Sequence, residues 1–162
     1  VNLEGFSPPA NVVLMRPGAK LSSNPNTFKS NELTPLDDEL LRDTLSHSEL
    51  VIAGPSTILI DAALFDRPTI AIAFDGTRRA PYYESIRRYY DYDHMSPVVK
   101  SGGVRLVKSF DELAQAIERY QNDPAIDQEG RAKIVEDECG KLDGHSSEHL
   151  ADVLDRASSP QP

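Results

Sequence analysis

Cysteine is nearly missing from this chain. Cys139 is the single one in 162 residues, so no internal disulfide can form, and a reducing compartment is the simpler setting. Positive charge is also short: 17 Lys and Arg face 26 Asp and Glu. That balance argues against general nucleic-acid binding, which needs a basic face. Long apolar runs are absent, and none approaches the length that spans a bilayer. No signal-peptide pattern opens the chain, which starts on Val1 rather than Met, as a fragment of a longer protein would. The sequence has no internal repeat and no low-complexity core. Its length suffices for one domain with a real hydrophobic core.

What is present alternates. "NVVLM" (11–15) reads as a short strand, stopped by Arg16-Pro17-Gly18. Residues 17–35 are rich in Pro, Ser and Asn and read as a long mobile loop. Leu36, Leu40, Leu41 and Leu45 recur at helical spacing, which predicts an amphipathic helix over 36–48. "ELVIA" (49–53) and "PTIAIAF" (68–74) read as buried strands around a helix over 55–66. "VRLVK" (104–108) reads as a fourth strand, and Ser109 with Glu112 forms a capping box for a helix over 110–122. Two further helices are expected over about 127–138 and 145–156, the second with Leu150, Val153 and Leu154 as packing residues. Strands that are continuous apolar runs, alternating with helices, indicate an α/β fold: a Rossmann-like parallel sheet covered on both faces. One domain is expected over 1–157, followed by a disordered tail at 158–162.

The segment "AGPSTILIDAALFDRPTIAIAF" (53–74) carries the chemistry. In such sheets ligands bind beyond the carboxyl ends of the strands. Gly54 begins the turn after "ELVIA" and permits close backbone approach. Ser56 and Thr57 follow at the expected helix start, where free N–H groups favour an anion; equally, they can serve only as caps. Asp61 sits one turn deeper in an otherwise apolar helix. A buried carboxylate must be paired or hydrogen-bonded, so it either meets an arginine of the fold or takes the two hydroxyls of a ribose.

"DAALFDRPTIAI" (61–72) resembles the nucleotide-binding segment of glycosyltransferases with the two-domain GT-B fold. With "SGGVRLVKSFDELAQAI" and "DQEGRAKIVEDECGKLDGHSSEHLADVL", it resembles most the bacterial surface-polysaccharide group that borders the CDP-glycerol glycerophosphotransferases. The likeness spans roughly 11–155. It implies a C-terminal, donor-binding half of a larger enzyme, whose missing N-terminal half takes the acceptor. It also implies Asp61 as the ribose-binding carboxylate, Ser56 and Thr57 facing the diphosphate, and Arg16 near the donor phosphates. The glycerophosphotransferases usually show His-Pro shortly after a basic residue at that point. Here Arg16-Pro17-Gly18 has no histidine, which favours sugar transfer. Asp66-Arg67 replaces the commoner glycine before Pro68.

Other candidates stand outside that segment. Arg78, Arg79, Arg87 and Arg88, with five of the six tyrosines, cluster over 78–92 of an acidic chain. They suit a diphosphate, an anionic glycan or a lipid-linked phosphate, docking to the missing domain, or an ordinary amphipathic helix. His94 is a candidate for the reacting centre or a donor phosphate, and a structural histidine otherwise. Gly102 and Gly103 permit close approach to a ligand, or only a turn. "HSSEH" (145–149) matches the H-x-x-E-H zinc-peptidase pattern, but too little chain follows to supply the third ligand a catalytic zinc needs. No metal and no cofactor is expected, only a nucleotide-diphosphate sugar as donor.

The expected function is therefore transfer of a glycosyl group from a nucleotide sugar, as in surface polysaccharide synthesis, by a cytoplasmic enzyme that associates peripherally with the inner membrane face. The fragment alone would be inactive. The alternatives are a glycerophosphotransferase, a nucleotide-sugar 2-epimerase-like enzyme, and a non-catalytic binding or assembly module.

Overall fold

The structure, a computed structural model, describes residues 5–15, 18–20, 31, 32 and 34–158. Arg16 and most of the 17–35 loop therefore lie outside the described residues. The chain forms two compact units, Val1–Thr44 and Leu45–Pro162.

In the first unit, β1 (Ala19–Lys20) pairs antiparallel with β2 (Asn31–Glu32). Helix α1 (Pro35–His47) follows, with Leu45, Ser46 and His47 belonging to the second unit. Pro35 suits a first helical position, and Thr34 and Asp37 cap each other. Asp37 accepts from the Thr34 backbone N–H at 2.8 Å and from its hydroxyl at 2.6 Å. Those bonds, with one from the Gly18 N–H, hold the Asp37 carboxyl below its ordinary pKa. Residues 11–15 are not a strand. They are exposed coil after a turn in which Val12 N–H donates to Pro9 O at 2.9 Å. A strand exists only through ladder partners, and an apolar run does not supply one. Leu36, Leu40 and Leu41 of α1 are likewise exposed.

The second unit holds the parallel sheet. Strands β3 (Val51–Ala53), β4 (Thr69–Ile72) and β5 (Arg105–Val107) lie in that order, all parallel, with Ile52 opposite Ile70 and Ala71 opposite Leu106. Among the described residues three strands, not four, make this sheet. The central β4 is buried on both faces because successive side chains point opposite ways. Ala71 packs with Leu59 and Ala63 of α2 (Ile58–Leu64), with Val98 of α3 (Ser96–Lys100), and with Ile134 of α5 (Gln128–Ile134). Ile70 packs the other way, with Val107 and with Ala116 and Tyr120 of α4 (Phe110–Asn122). Helices on both faces of a parallel sheet make this a Rossmann-like α/β fold.

At α4 Ser109 caps the helix as expected, its Oγ accepting from Glu112 N–H at 3.1 Å, while Glu112 reaches back one residue beyond the cap, to Lys108 N–H at 2.7 Å. Residues 75–95 hold two 3-10 turns, Tyr82–Glu84 and Ile86–Asp91, instead of a regular helix. Beyond α5 the chain winds on as a wider turn over Val135–Cys139. Helix α6 (Ser146–Ser158) ends the described chain, with Leu150, Val153 and Leu154 exposed rather than packed. Helical periodicity reports a face, not what covers it.

Candidate functional site: a cationic cleft at the carboxyl edge of the sheet

The chain leaves β4 through Ala73 and Phe74 into a tight turn. Asp75 and Arg78 pair across it, with Gly76 at φ 66°, a left-handed position that glycine takes without strain. Asp75 Oδ1 then accepts the Ile86 N–H at 2.9 Å, which pins the second 3-10 turn above the strand end. That bond, a contribution from the Ser85 hydroxyl, and the charges of Arg87 and Arg78 hold the Asp75 carboxyl below its ordinary pKa, against slight desolvation. Tyr90, buried under the turn, donates to Ile72 O at 2.8 Å, and burial pushes its phenol well above the usual range.

The result is an open cleft of about 580 Å³ beside the carboxyl ends of β4 and β5, lined by Phe74, Asp75, Arg78, Arg79, Tyr82, Arg87 and Lys108 among others. Four cations converge there. Arg78 is shared with Glu84. The guanidiniums of Arg79 and Arg87 and the Lys108 ammonium form no ion pair or hydrogen bond with a described residue. Such an array can grip a polyanion by charge-assisted hydrogen bonds. It carries no uncommitted carboxylate or imidazole for proton transfer.

The sequence candidates divide accordingly. Arg78 and Arg87 meet in the cleft. Arg88, next to Arg87, turns elsewhere: it donates to the Tyr83 carbonyl and to the Tyr89 hydroxyl. His94 is exposed, stacks obliquely on Tyr92 at 5.9 Å, and does not line the cleft. Gly54 lies against the same 3-10 turn, since a side chain there would touch Ile86 Cδ1 at 3.4 Å. Ser56 and Thr57 are exposed, and Ser56 Oγ takes only a long bond, 3.4 Å, from Ile58 N–H. The α2 helix they precede has seven residues rather than the expected twelve, too few for a strong dipole.

Asp61 is half-buried and pairs with no described residue, so the ion-pair alternative for it does not hold. Desolvation raises its pKa. It stands near Cys139, whose thiol is pushed up by burial, by the Asp61 charge and by Glu138. Asp61 does not line the cleft itself. Gly102 is exposed at φ 82°. Gly103 has its close approach filled from within: a Cβ there would sit 2.4 Å from Arg131 N and Gly130 C of α5. Its missing side chain is room for a helix, not for a ligand. Lys108 joins the cleft without a motif to mark it; its only signal in the sequence is its place just past the "VRLV" run, where a ligand-facing side chain belongs.

Among the described residues no group of three His, Cys, Asp or Glu is placed to hold a metal ion. His145 and His149 each face a carboxylate instead, Glu148 at 2.8 Å and Asp143 at 3.6 Å. No described helix is long and apolar enough to cross a membrane.

The fold defines a class, Rossmann-like α/β domains, in which ligands bind beyond the carboxyl ends of the strands. The family is more particular. Residues 8–155 match the model of the CDP-glycerol:poly(glycerophosphate) glycerophosphotransferases, and the chain belongs to that family of transferases. Searches of curated proteins and of solved structures returned no match.

Proposed function

We propose that this chain binds the nucleotide-diphosphate-linked donor of a polymer-building transferase, and that the group moved is a polyol phosphate. The family match over 8–155 carries this reading, and the cationic cleft gives the donor's phosphates a place. Arg78, Arg79, Arg87 and Lys108 would neutralise the diphosphate. Asp61, with Ser56 and Thr57 before it, would take the ribose at the neighbouring strand end; its unpaired carboxylate supports that role. In this reaction a hydroxyl of the acceptor attacks the phosphorus that bears the polyol. The P–O–P bond breaks, a nucleoside monophosphate leaves, and the hydroxyl proton passes to a base outside this cleft. The cleft's share is positioning and charge stabilisation. Gly103, packed against the α5 backbone, has no part in it, and His94 does not line the cleft.

Sugar transfer is the second reading, favoured by Arg16-Pro17-Gly18, which lacks the His-Pro of glycerophosphate transferases. There a C–O bond breaks and a nucleoside diphosphate leaves. Two measurements decide. Titration of the protein with CDP-glycerol, CDP, UDP and GDP, followed by amide NMR, should show one preferred base and shifts at residues 75–79, 87 and 108. Absence of binding to every nucleotide removes the reading. With labelled CDP-glycerol and a polymer acceptor, release of CMP supports phosphate transfer, whereas turnover of a sugar nucleotide to the diphosphate supports the alternative.

A further inference from the structure

We propose that the tyrosine–arginine surface over 82–92 is the landing site of an anionic, phosphate-linked acceptor chain, which reaches the donor cleft at Arg87. The proposal rests on the donor reading of that cleft and adds the acceptor to it.

The observation is a doubled arrangement. Arg87 and Arg88 are neighbours in sequence, yet each lies over a different ring: Arg87 5.9 Å from the Tyr82 centroid, Arg88 4.6 Å from that of Tyr89. Each ring meets a second tyrosine edge-on. Tyr83 stands against Tyr82 at 5.4 Å and 78°, and Tyr92 against Tyr89 at 5.4 Å and 71°. All four tyrosines are exposed, Tyr83 at 80%. Two like guanidinium–tyrosine units side by side suit a ligand that itself repeats: a phosphate for each guanidinium, a polyol C–H face for each ring. A lone phosphate needs only one unit. The first unit opens on the cleft, because Arg87 and Tyr82 both line it. The second lies outside it, so a chain lying across both units has its end at the donor.

The arginines are held for this. Ser85 Oγ accepts the Arg87 N–H at 3.3 Å, leaving the guanidinium unbonded. Arg88 is braced by the Tyr83 carbonyl through Nη1 and by the Tyr89 hydroxyl through Nη2, which fixes the guanidinium over the Tyr89 ring and leaves the second N–H of each terminal nitrogen for a phosphate. A membrane surface fits less well. Glu84 and Asp91 stand in the same stretch, Asp91 accepting from the Tyr82 hydroxyl at 2.6 Å. A flat anionic sheet of lipid would press against both carboxylates, whereas a single thread can run between them.

The test is an NMR titration of the protein with a short synthetic glycerol phosphate oligomer, an uncharged oligoglycerol of equal length, CDP, and phosphatidylglycerol vesicles. The phosphate oligomer should shift Tyr82, Tyr83, Arg88, Tyr89 and Tyr92, and the uncharged one should not. Arg88→Gln and the double variant Tyr83→Ala/Tyr92→Ala should each weaken oligomer binding about tenfold, with CDP affinity unchanged. Tyr83 and Tyr92 are exposed, so the double variant keeps its fold. Equal oligomer affinity in wild type and both variants overturns the proposal. So does a preference for vesicles that the oligomer cannot displace. An oligomer that binds where CDP does not would keep the landing surface and remove the donor reading instead.

Discussion

The two edges of the parallel sheet carry clefts of similar size, about 580 Å³ at the carboxyl ends of the strands and about 720 Å³ at their amino ends. Their charges are used differently. At the amino edge Asp66 and Arg67 line the cleft and are tied into the fold, Arg67 by donating to Ser46 O at 2.8 Å and Asp66 by Arg131, which does not itself line the cleft. Arg131 is 1% exposed, and every nitrogen of its guanidinium is engaged: Nε to Asp66 Oδ1 at 2.7 Å, Nη1 to Ile126 O at 2.7 Å, Nη2 to Pro124 O at 3.0 Å. Arg105 pairs with Asp127, which also accepts from Tyr120 at 2.7 Å. Burial and that bond push the Tyr120 phenol up to about 12. At the carboxyl edge three of four cations are uncommitted. Cleft size therefore says little about function here; unspent donors say more. A buried ion pair locks geometry at a desolvation cost, while an exposed cation keeps its interaction energy for a ligand.

Breaking the amino edge should have the largest effect. Arg131→Met leaves two carbonyls and Asp66 without their donor, and should cost about 3 kcal/mol of stability, read by chemical denaturation. If the loss is under about 1 kcal/mol, the clasp is not what holds α5 to the turn after α2.

Gly103→Ala comes next. Its Cβ would fall on the α5 backbone, and overpacking against backbone should cost about 2 kcal/mol. Nucleotide affinity of the folded fraction should not change, which separates the packing role from a ligand role.

At the carboxyl edge the sign of the comparison reverses. Arg79→Gln and Arg87→Gln should leave stability within about 0.5 kcal/mol, as surface changes do, yet each should weaken CDP binding about tenfold. A calorimetric titration that finds wild-type affinity in both would make this edge an ordinary solvated surface.

The smallest effects should come from two carboxylates with opposite shifts. Partial burial raises Asp66, but hydrogen bonds from Arg131 and Gln128 and the charges of Arg131 and Arg67 outweigh it, so its folded pKa lies below the ordinary 3.8. Its contribution is present above that value and is lost as pH falls through the folded pKa. Asp61 is raised by desolvation alone, so the folded state resists its ionisation, and stability falls as pH rises through that raised value. Asp61→Asn should therefore raise the melting temperature slightly at pH 7. Under the donor reading it should also weaken nucleotide binding. A variant that gains stability and keeps full affinity would remove Asp61 from the site.

How much of this was legible in the residues varies with the range of the interaction. The helix cap at Ser109 and Glu112 is local, four residues long, and it formed where the pattern placed it. The alternation of buried runs and helices predicted a parallel α/β sheet, because only a strand covered on both faces reads like "TIAI". "NVVLM" misled, since apolarity is a property of the run and pairing is a property of its neighbours. Asp66 stands where a glycine is common, and the structure shows the reason for that preference: its φ is 52°, tolerable for aspartate and held by Arg131 from 65 residues away.

By itself the amino-acid order determined the fold class, the capped start of α4, and the gathering of arginine and tyrosine in one short acidic-chain segment, because each follows from residues within a turn or two of one another. Only the tertiary structure decided which arginine faces the cleft and which braces a loop, that Gly103 makes room for Gly130, and that Lys108 joins Arg79 and Arg87. Those outcomes depend on where the ends of separate strands meet in space, and no local spacing encodes that meeting.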